Sequence, residues 1–193
     1  MSRLLVCSEV DLPSVNMRAA LLRMREGEDM GEADGASYIS SGDDVMMSIP
    51  DMHIYREDLD KEAEAFGVKV DSVVVMSKHS AKSGRPALTV HPIGNYHHAD
   101  FGGRSETLVE ASPYAMTDAL RAIASRSEDP AVQVCFEVTH HGPYLEKPTF
   151  YIEIGSDESH WGDLPSAEIL AHVISEAEPT DGCRPLVGIG GGR

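Results

Sequence analysis

The segment VDSVVVMS, residues 70–77, constrains the fold more than any other part of the sequence. It is a nearly continuous run of β-branched and apolar residues, as expected of a strand that is buried on both faces. Strands of this kind belong to parallel sheets that helices cover on both sides. Helical patterns occur at residues 14–27, 55–67, 112–127 and 165–178. The sequence therefore predicts an α/β fold in which a mixed, mainly parallel sheet lies between helices.

Further strands are expected before and after this run, and a length of 193 residues fits a single domain. The segment EDMGEADGAS, residues 28–37, is acidic and contains two glycines, so we predict a loop there. The other predicted strands are residues 3–7, 43–50, 87–91, 132–140, 149–155 and 185–190.

The sequence shows no sign of a membrane span or a secretory signal. It has no run of eighteen or more apolar residues, and its short N-terminal apolar run is soon followed by Glu9 and Asp11. The cysteines, three in number and isolated, form no CxxC pair, which argues against a disulfide framework. We therefore expect a cytoplasmic protein without a membrane partner.

The formal net charge is −16, with 32 acidic residues against 16 basic ones, of which five are lysines. An acidic, well-solvated surface is one interpretation. The other, which we favour, is a halophilic protein, because high salt screens the repulsion between dense carboxylates. A surface that binds nucleic acid is normally basic. We therefore expect no DNA partner, and any RNA partner must be held by a local basic patch.

Histidines at strand ends indicate a chemical site. His79, His91 and His140 each fall at or just beyond the end of a predicted strand, where open α/β sheets place their sites. Glu153 lies in the middle of a predicted strand between isoleucines, and a buried carboxylate there needs a histidine, an arginine or a metal as partner. Imidazole and carboxylate ligands suit Zn²⁺. We therefore expect His79, His91, His140 and Glu153 to bind zinc.

The pair His140–His141 lies near Glu137 and Glu153, so these two histidines and Glu137 are the candidate catalytic residues. A solvated histidine pair in a loop is the alternative. The sequence contains neither an HExxH helix motif nor a GxSxG elbow, which argues against a standard helical zinc hydrolase and against a serine triad. His97 and His98 receive no role.

The segment SKHSAKSGR, residues 77–85, has four basic residues and no acidic one. In so acidic a chain this local excess predicts a clamp for phosphate or carboxylate groups, formed by Lys78, Lys82 and Arg85. A solvated loop is the alternative.

Four motifs, in this order, resemble those of the archaeal and plant-type D-aminoacyl-tRNA deacylase family. They are SKHSAKSGRPALTVHPIGNY, EVTHHGP, PTFYIEIGSDESHW and GIGGG, and the resemblance covers nearly the whole chain. It implies a zinc-dependent hydrolase that removes D-amino acids from tRNA by cleaving the ester to the terminal ribose. It also implies a fold similar to those of peptidyl-tRNA hydrolases and zinc carboxypeptidases.

This resemblance gives the candidate residues their expected roles. Glu137 or Glu153 would accept a proton from water, and a second imidazole would stabilise the developing oxyanion. Lys78, Lys82 and Arg85 would contact phosphates at the acceptor end, and Asn95, within the first motif, would bind substrate.

The sequence departs from the family pattern at its end, because the glycine stretch of the family continues into a His-Tyr-Ala-Pro run, whereas Arg193 ends this chain. We accordingly expect residues 1–193 to form a single deacylase domain that is incomplete at its C-terminus. Two alternatives stay open: a zinc-dependent peptidase or amidohydrolase that acts on small substrates, and an inactive metal-binding module. The oligomeric state is open, with a monomer favoured.

Overall fold

The structure, a computed structural model, describes residues 2–176 and 184–189. Its centre is an eight-stranded mixed sheet with the strand order β2-β3-β4-β1-β5-β10-β6-β9, and β7 pairs with β8 in a small separate sheet. The strands are β1 (Arg3–Ser8), β2 (Glu28–Ala33), β3 (Ala36–Ser41), β4 (Asp44–Ile49), β5 (Ser72–Lys78), β6 (Ala87–His91), β7 (Gly94–Asn95), β8 (Thr107–Leu108), β9 (Gln133–Phe136) and β10 (Thr149–Gly155).

The centre of the sheet is parallel. Strand β1 runs parallel to β4 and β5, and β10 runs parallel to β5. Strand β6 is antiparallel to β10 and carries β9 parallel to itself. The valines of β5, Val73 to Val75, are at most 2 % exposed, because both faces of this strand are covered. The α/β fold class predicted from the sequence is therefore confirmed.

Helices pack on both faces of the sheet, and they are α1 (Leu12–Met24), α2 (Leu59–Phe66), α3 (Pro113–Arg126), α4 (Glu158–Trp161) and α5 (Leu164–Glu176). Helices α1, α3 and α5 bury their apolar residues in one cluster with Val74, Ile152 and other strand residues. Helix α2 joins a second cluster, which contains Val75 and Tyr151. We call the side of the sheet that bears this second cluster the site face.

Strand β10 shows how the sequence pattern divides between the two faces. Phe150, Ile152 and Ile154 point into the cluster of the three helices, whereas Tyr151 belongs to the cluster on the site face. Residues that alternate along a strand point to opposite sides, so Glu153 shares the site face with Tyr151. The predicted alternation is confirmed, and it places a buried carboxylate beside the centre of the sheet.

Three sequence-based assignments need correction. The predicted loop at 28–37 is instead a hairpin of β2 and β3, turned by Asp34 and Gly35 at φ values of 51° and 76°. Aspartate-glycine favours this two-residue turn, and the acidic composition masked the signal. The predicted strand 185–190 is wrong for its described part, because residues 184–189 have no regular structure. The predicted strand 132–140 is shorter, since β9 ends at Phe136.

The described residues bear on two expectations, which concern disulfides and membrane-spanning helices. Cys7 is buried and Cys135 is half-buried, and both are free thiols; Cys183 lies outside the described residues. No helix within residues 2–176 and 184–189 combines the length and the apolar character needed to cross a bilayer.

Candidate active site

The candidate site lies on the site face, where strands of opposite direction meet. Tyr151 on β10 pairs with His91 on β6, and Glu153 pairs with Thr89. Strand β9 continues this surface, because Cys135 pairs with Thr89 and Glu137 follows two residues later. The sequence predicted convergence at one edge of the sheet. Strands β6 and β9, which both run antiparallel to β10, bring the residues together on the face of the sheet instead.

His91, His140 and His141 form one compact cluster, which we call the three-histidine cluster. The ring centroids of His91 and His140 are 4.5 Å apart, those of His140 and His141 are 4.4 Å apart, and those of His91 and His141 are 5.0 Å apart. One ligand atom from each ring lies within 4.8 Å of the others. This spacing suits a single ion bound by all three imidazoles.

Backbone carbonyls determine which ring nitrogen of each histidine carries the hydrogen. Nδ1 lies 3.0 Å from the Pro92 carbonyl in His91, 2.7 Å from the Val138 carbonyl in His140 and 2.6 Å from the Gly142 carbonyl in His141. A carbonyl oxygen only accepts, so each Nδ1 donates and each neutral ring keeps its lone pair on Nε2. Within the described chain, the buried Nε2 of His91 has no hydrogen-bond partner. Metal-binding histidines have this arrangement, in which the second nitrogen donates to the protein.

The backbone at His141 explains how adjacent histidines reach the same cluster. In a regular strand, consecutive side chains point to opposite faces. His141 has a φ of 48°, in the left-handed region that non-glycine residues adopt rarely, and the alternation is broken there. The next residue, Gly142, packs so closely on another loop that a Cβ would lie 2.1 Å from the nitrogen of Gly103. The His-Gly sequence therefore permits a turn that directs both imidazoles into the site.

A second group, which we call the carboxylate cluster, contains His79, Glu137 and Glu153. His79 Nδ1 lies 2.9 Å from Glu137 Oε2 and 3.7 Å from Glu153 Oε2. Thr89 donates its hydroxyl hydrogen to the other oxygen of Glu137 at 2.5 Å. Gly155 allows His79 to approach β10, since a Cβ there would lie 2.6 Å from the imidazole. The ligand atoms of this group also lie within 4.8 Å of one another.

The two clusters are in contact with each other. His91 Nε2 lies 3.6 Å from Glu153 Oε1, and His140 Nε2 lies 3.9 Å from Glu137 Oε2. The Nε2 atoms of His91 and His140 therefore face the carboxylate cluster. A cation bound by the imidazoles would compensate the negative charge of the acidic side chains beside it.

The surroundings of Glu137 and Glu153 shift the pKa values of these two carboxylates in opposite directions. Burial raises the pKa of Glu153 well above its usual value, and the charge of Glu137 raises it further. Burial also acts against ionisation of Glu137, but the hydrogen bond from His79, the charge of His91 and the Thr89 hydroxyl outweigh it and lower its pKa to about 2. Two carboxylates this close do not both ionise readily. Glu137 is therefore the member that ionises more readily, and Glu153 is the member that keeps its proton to higher pH.

The pKa values of the histidines are also shifted in opposite directions in the two clusters. Burial lowers the pKa of His91 and of His140, and it lowers the pKa of His141 to about 2 together with the charges of the neighbouring histidines. Burial also disfavours the charged form of His79, but the hydrogen bond to Glu137 and the nearby carboxylate charges leave its pKa raised. The three-histidine cluster is therefore neutral, as metal ligands must be, whereas His79 tends to be an imidazolium.

These shifts predict an acid response of the metal-free protein. Histidines whose pKa is lowered by folding take up protons on unfolding, so their stability contribution falls as the pH falls below 6.5. Glu153 opposes them above pH 4.5, because its pKa is raised in the folded state. Because three histidines oppose one carboxylate, unfolding takes up more protons than it releases. The free energy of unfolding should therefore decrease between pH 6.5 and 5.

Urea denaturation with a chelator present measures this response, and a His141→Gln variant serves as the comparison. The wild-type free energy of unfolding should fall more steeply between pH 6.5 and 5 than that of the variant, because the variant lacks one of the protons taken up on unfolding. Equal slopes in the two proteins would show that His141 is not held neutral in the folded state.

A family model described as D-aminoacyl-tRNA deacylase matches residues 66–193, which include every residue of both clusters. The chain belongs to the D-aminoacyl-tRNA deacylase family. The family resemblance predicted from the sequence is thus confirmed. The matched range begins at the C-terminal end of α2 and contains β5, β6, β9 and β10, the strands that carry the site.

Curated relatives of the same name extend the match to the whole chain. The D-aminoacyl-tRNA deacylase of Methanococcoides burtonii is 36 % identical over 198 residues, which cover 100 % of this chain and 41 % of that protein. That of Thermococcus kodakarensis is 37 % identical over 196 residues, which cover 98 % of this chain and 72 % of that protein. The chain therefore spans less than half of the first relative and almost three quarters of the second.

Solved structures agree on the fold. A crystal structure of a conserved protein of unknown function superimposes with a TM-score of 0.88 at 32 % identity, covering 93 % of this chain and 65 % of that one. A mutant futalosine hydrolase of Helicobacter pylori superimposes with a TM-score of 0.58 at 9 % identity, covering 91 % of this chain and 97 % of that one. The second likeness shows the α/β fold alone. The similarity to peptidyl-tRNA hydrolases and zinc carboxypeptidases stays a prediction.

The four expected metal ligands of this D-aminoacyl-tRNA deacylase family member are divided between the two clusters. His91 and His140 lie in the three-histidine cluster, whereas His79 and Glu153 lie in the carboxylate cluster. The candidate catalytic residues are likewise divided, with Glu137 beside His79 and His141 beside His91. The structure thus brings all the predicted ligands and catalytic residues together, but it groups them differently.

The expected substrate-binding residues lie at the margins of the site. Lys78 places Nζ 4.8 Å from the centre of the Trp161 ring. Lys82 and Arg85 are exposed in the loop after His79, and Lys82 lines an open cleft together with Trp161. Asn95 is buried and donates from Nδ2 to the carbonyls of residues 102 and 104, so its side chain stabilises a loop beside the site.

Three buried residues next to the site were not predicted from the sequence, namely Asp11, His53 and Tyr151. The Tyr151 ring packs 5.2 Å from that of His91 and 4.9 Å from that of His141, measured between centroids. Tyr151 could have been predicted as a neighbour of the site, because it lies on the same strand face as Glu153. Asp11 and His53 lie far from the family motifs in sequence, and no local pattern marks them.

Proposed function

We propose that this chain hydrolyses the ester bond of D-aminoacyl-tRNA, releasing the free D-amino acid and tRNA. One observation carries the proposal: three clustered imidazoles, each with Nδ1 bonded to a backbone carbonyl, lie beside two carboxylates, and His140 Nε2 is 3.9 Å from Glu137 Oε2. Such a site binds a Lewis-acidic metal beside a proton acceptor, which ester hydrolysis requires. The shared name of the matched family and relatives supplies the substrate.

The group that the site would hold is Zn²⁺. Its ligands would be the Nε2 atoms of the three-histidine cluster, whose Nδ1 atoms already donate to carbonyls. The neutral imidazoles and the unpartnered Nε2 of His91 fit this ion. When bound, zinc supplies Lewis acidity, which makes water acidic enough to attack an ester near neutral pH. The carboxylate cluster offers three further ligand atoms beside it.

The carboxylate cluster would perform the proton transfers. Glu137 is the ionised carboxylate, so Glu137 rather than Glu153 would accept the proton of the attacking water. His79, hydrogen-bonded to Glu137 at 2.9 Å, would hold this carboxylate in place and would donate towards the leaving ribose oxygen. The protonated Glu153 would add no second negative charge to the site.

A comparison of D- and L-tyrosyl-tRNA as substrates of the purified chain tests the proposed function. We expect hydrolysis of the D-ester at a rate well above that of spontaneous deacylation, with the L-ester spared, because the pocket must reject one enantiomer. Spontaneous rates for both esters would contradict the proposal. The matched relatives carry the deacylase name, so the alternatives of a small-substrate peptidase and of an inactive module receive no support.

We expect the basic segment 77–85 to contact tRNA phosphates, because its lysine and arginine side chains form no ion pairs in the described part of the chain. Within residues 2–176 and 184–189, Lys78, Lys82 and Arg85 form no ion pair, whereas Lys61 pairs with Asp58 and Glu146. The chain has a net charge of −16, which repels a polyanion over most of the surface. Positively charged side chains that form no ion pair beside the site therefore mark where a polyanion can approach.

Replacing Lys82 and Arg85 by alanine should therefore raise KM for charged tRNA and flatten the salt dependence of binding by roughly two units of log–log slope. Turnover of a minimal D-aminoacyl ester without tRNA should hardly change, because these residues lie outside the chemical step. A Lys69→Ala/Arg23→Ala variant removes the same charge from exposed positions elsewhere and serves as the control. If the two double variants bind tRNA equally, the tRNA surface lies elsewhere.

The halophilic and cytoplasmic assignments belong to the proposal as well, as does a monomeric state. The net charge of −16 supports the first, because high ionic strength screens carboxylate repulsion most strongly. We expect the melting temperature to rise steadily from low to multimolar potassium chloride. A melting temperature that is flat or falling over this range would contradict the halophilic assignment. Size-exclusion chromatography in the same salt series reports the oligomeric state.

A further inference from the structure

Three fully buried residues, Asp11, His53 and Tyr151, form a chain of contacts for which the proposed chemistry has no use. His53 Nε2 lies 3.6 Å from Asp11 Oδ2, and Tyr151 Oη lies 3.2 Å from His53 Nδ1. The same tyrosine oxygen lies 3.3 Å from the carbonyl oxygen of Gly142. The chain of contacts therefore runs from the N-terminus of α1 to the residue that follows His141.

The chemistry of these groups limits where the hydrogens lie. A carboxylate only accepts, so the nearby Asp11 favours the His53 tautomer with its hydrogen on Nε2, although 3.6 Å exceeds the length of a hydrogen bond. The single hydroxyl hydrogen of Tyr151 is donated either to His53 Nδ1 or to the Gly142 carbonyl. Within the described chain, His53 Nε2 has no hydrogen bond of normal length. Burying such polar groups is costly, so a structural role alone accounts poorly for their presence beside the site.

At one end, the chain of contacts controls His141. The Gly142 carbonyl that contacts the tyrosine hydroxyl also accepts the hydrogen of His141 Nδ1, at 2.6 Å. The Tyr151 ring packs on the imidazole of His141 at 4.9 Å between centroids. The hydroxyl and the ring together restrain the carbonyl and the imidazole, and hence the direction of Nε2.

At the other end, Asp11 is joined to the carboxylate cluster. Its Oδ1 accepts from the backbone nitrogen of Ser14 and caps α1, while Oδ2 accepts from the backbone nitrogen of Lys78, at 3.2 Å in each case. Lys78 directly precedes His79. A single buried carboxylate therefore restrains the backbone beside His79 and, through His53 and Tyr151, the orientation of His141.

We propose that Asp11, His53 and Tyr151 are positioning residues, which hold His141 and His79 in the orientation that zinc binding and proton transfer require. They contact neither the substrate nor the metal in this assignment, and they act through the Gly142 carbonyl and the backbone of Lys78. The zinc part of this role rests on the proposed function. The orientation of His141 in the metal-free protein does not.

Two conservative variants test the role. Tyr151→Phe removes only a hydroxyl group, and Asp11→Asn keeps a side-chain oxygen that can cap α1. Tyr38→Phe, which alters another buried tyrosine of the site face, is the matched control. The first readout is the exchange rate of the His141 Nδ1 hydrogen with water in the metal-free protein, measured by ¹⁵N–¹H NMR. The second is zinc affinity, measured by competition with a chromogenic chelator.

We expect both test variants to exchange this hydrogen at least ~10-fold faster and to bind zinc ~10–100-fold more weakly, the usual loss when an outer partner of a metal ligand is removed. Tyr38→Phe should change neither quantity. If both test variants keep the wild-type exchange rate of the His141 Nδ1 hydrogen and the wild-type affinity for zinc, the proposal is overturned. The proposed zinc site would stand in that case. Faster exchange in a protein that binds no zinc would support the positioning of His141 and would instead remove zinc from the proposed function.

Discussion

Replacing His140 or His141 by alanine is expected to lower hydrolysis of D-aminoacyl-tRNA at least ~100-fold, the scale of losing a positioned catalytic group. Either substitution takes one Nε2 from the three-histidine cluster, in which the rings lie 4.4 to 5.0 Å apart. The two remaining imidazoles would hold zinc weakly. Single-turnover rates on D-tyrosyl-tRNA, with folding followed by circular dichroism, measure the loss.

His98→Ala provides the matched control, because His98 is an exposed histidine in the same half of the chain. It should keep the wild-type rate. Near-wild-type rates in both the His140 and the His141 variants, with folding intact, would remove the three-histidine cluster from the mechanism.

The second large effect is expected from Glu137→Gln, which should lower the rate by ~100-fold or more, the usual contribution of a general base. Glutamine keeps the shape of the side chain but cannot accept the proton of the attacking water. Because folding holds the pKa of Glu137 at about 2, this carboxylate is ionised throughout the neutral range. Rates measured from pH 5 to 9 would show the loss at every pH.

Glu153→Gln separates the roles of the two carboxylates. Burial raises the pKa of Glu153 and so favours its protonated form, which an amide resembles, and this variant should therefore retain most of the activity. Glu146→Gln, at an exposed glutamate that pairs with Lys61, controls for the negative charge that Glu137→Gln removes. A full loss in Glu153→Gln with activity preserved in Glu137→Gln would reverse the assignment of the proton acceptor.

Much of the fold could be predicted from local pattern. The β-branched run at 70–77 became β5 at the centre of the sheet, because only helices on both faces can bury such a strand. The alternation along 149–155 gave the correct faces of β10. The 28–37 hairpin was missed, because an edge strand needs little apolar surface and its residues are mostly exposed.

The composition of the site could be predicted better than its grouping. Histidines at strand ends and a carboxylate between isoleucines marked residues that the structure brings together, because such groups are costly to bury without partners. Their division into two clusters depends on β6 and β9 running against β10, and on the left-handed backbone at His141. Strand direction and a single φ value are set by tertiary contacts, which local spacing does not contain.

The most direct test of a zinc-dependent, D-specific esterase site is a titration of metal-free protein with Zn²⁺, in which hydrolysis of D- and L-tyrosyl-tRNA is followed together with the zinc bound per chain. We expect the metal-free chain to be inactive, D-ester hydrolysis to rise in proportion to bound zinc, and the L-ester to be spared throughout. A chain freed of metal that still hydrolyses the D-ester at the full rate, or a zinc-loaded chain that cleaves both enantiomers alike, would contradict this account.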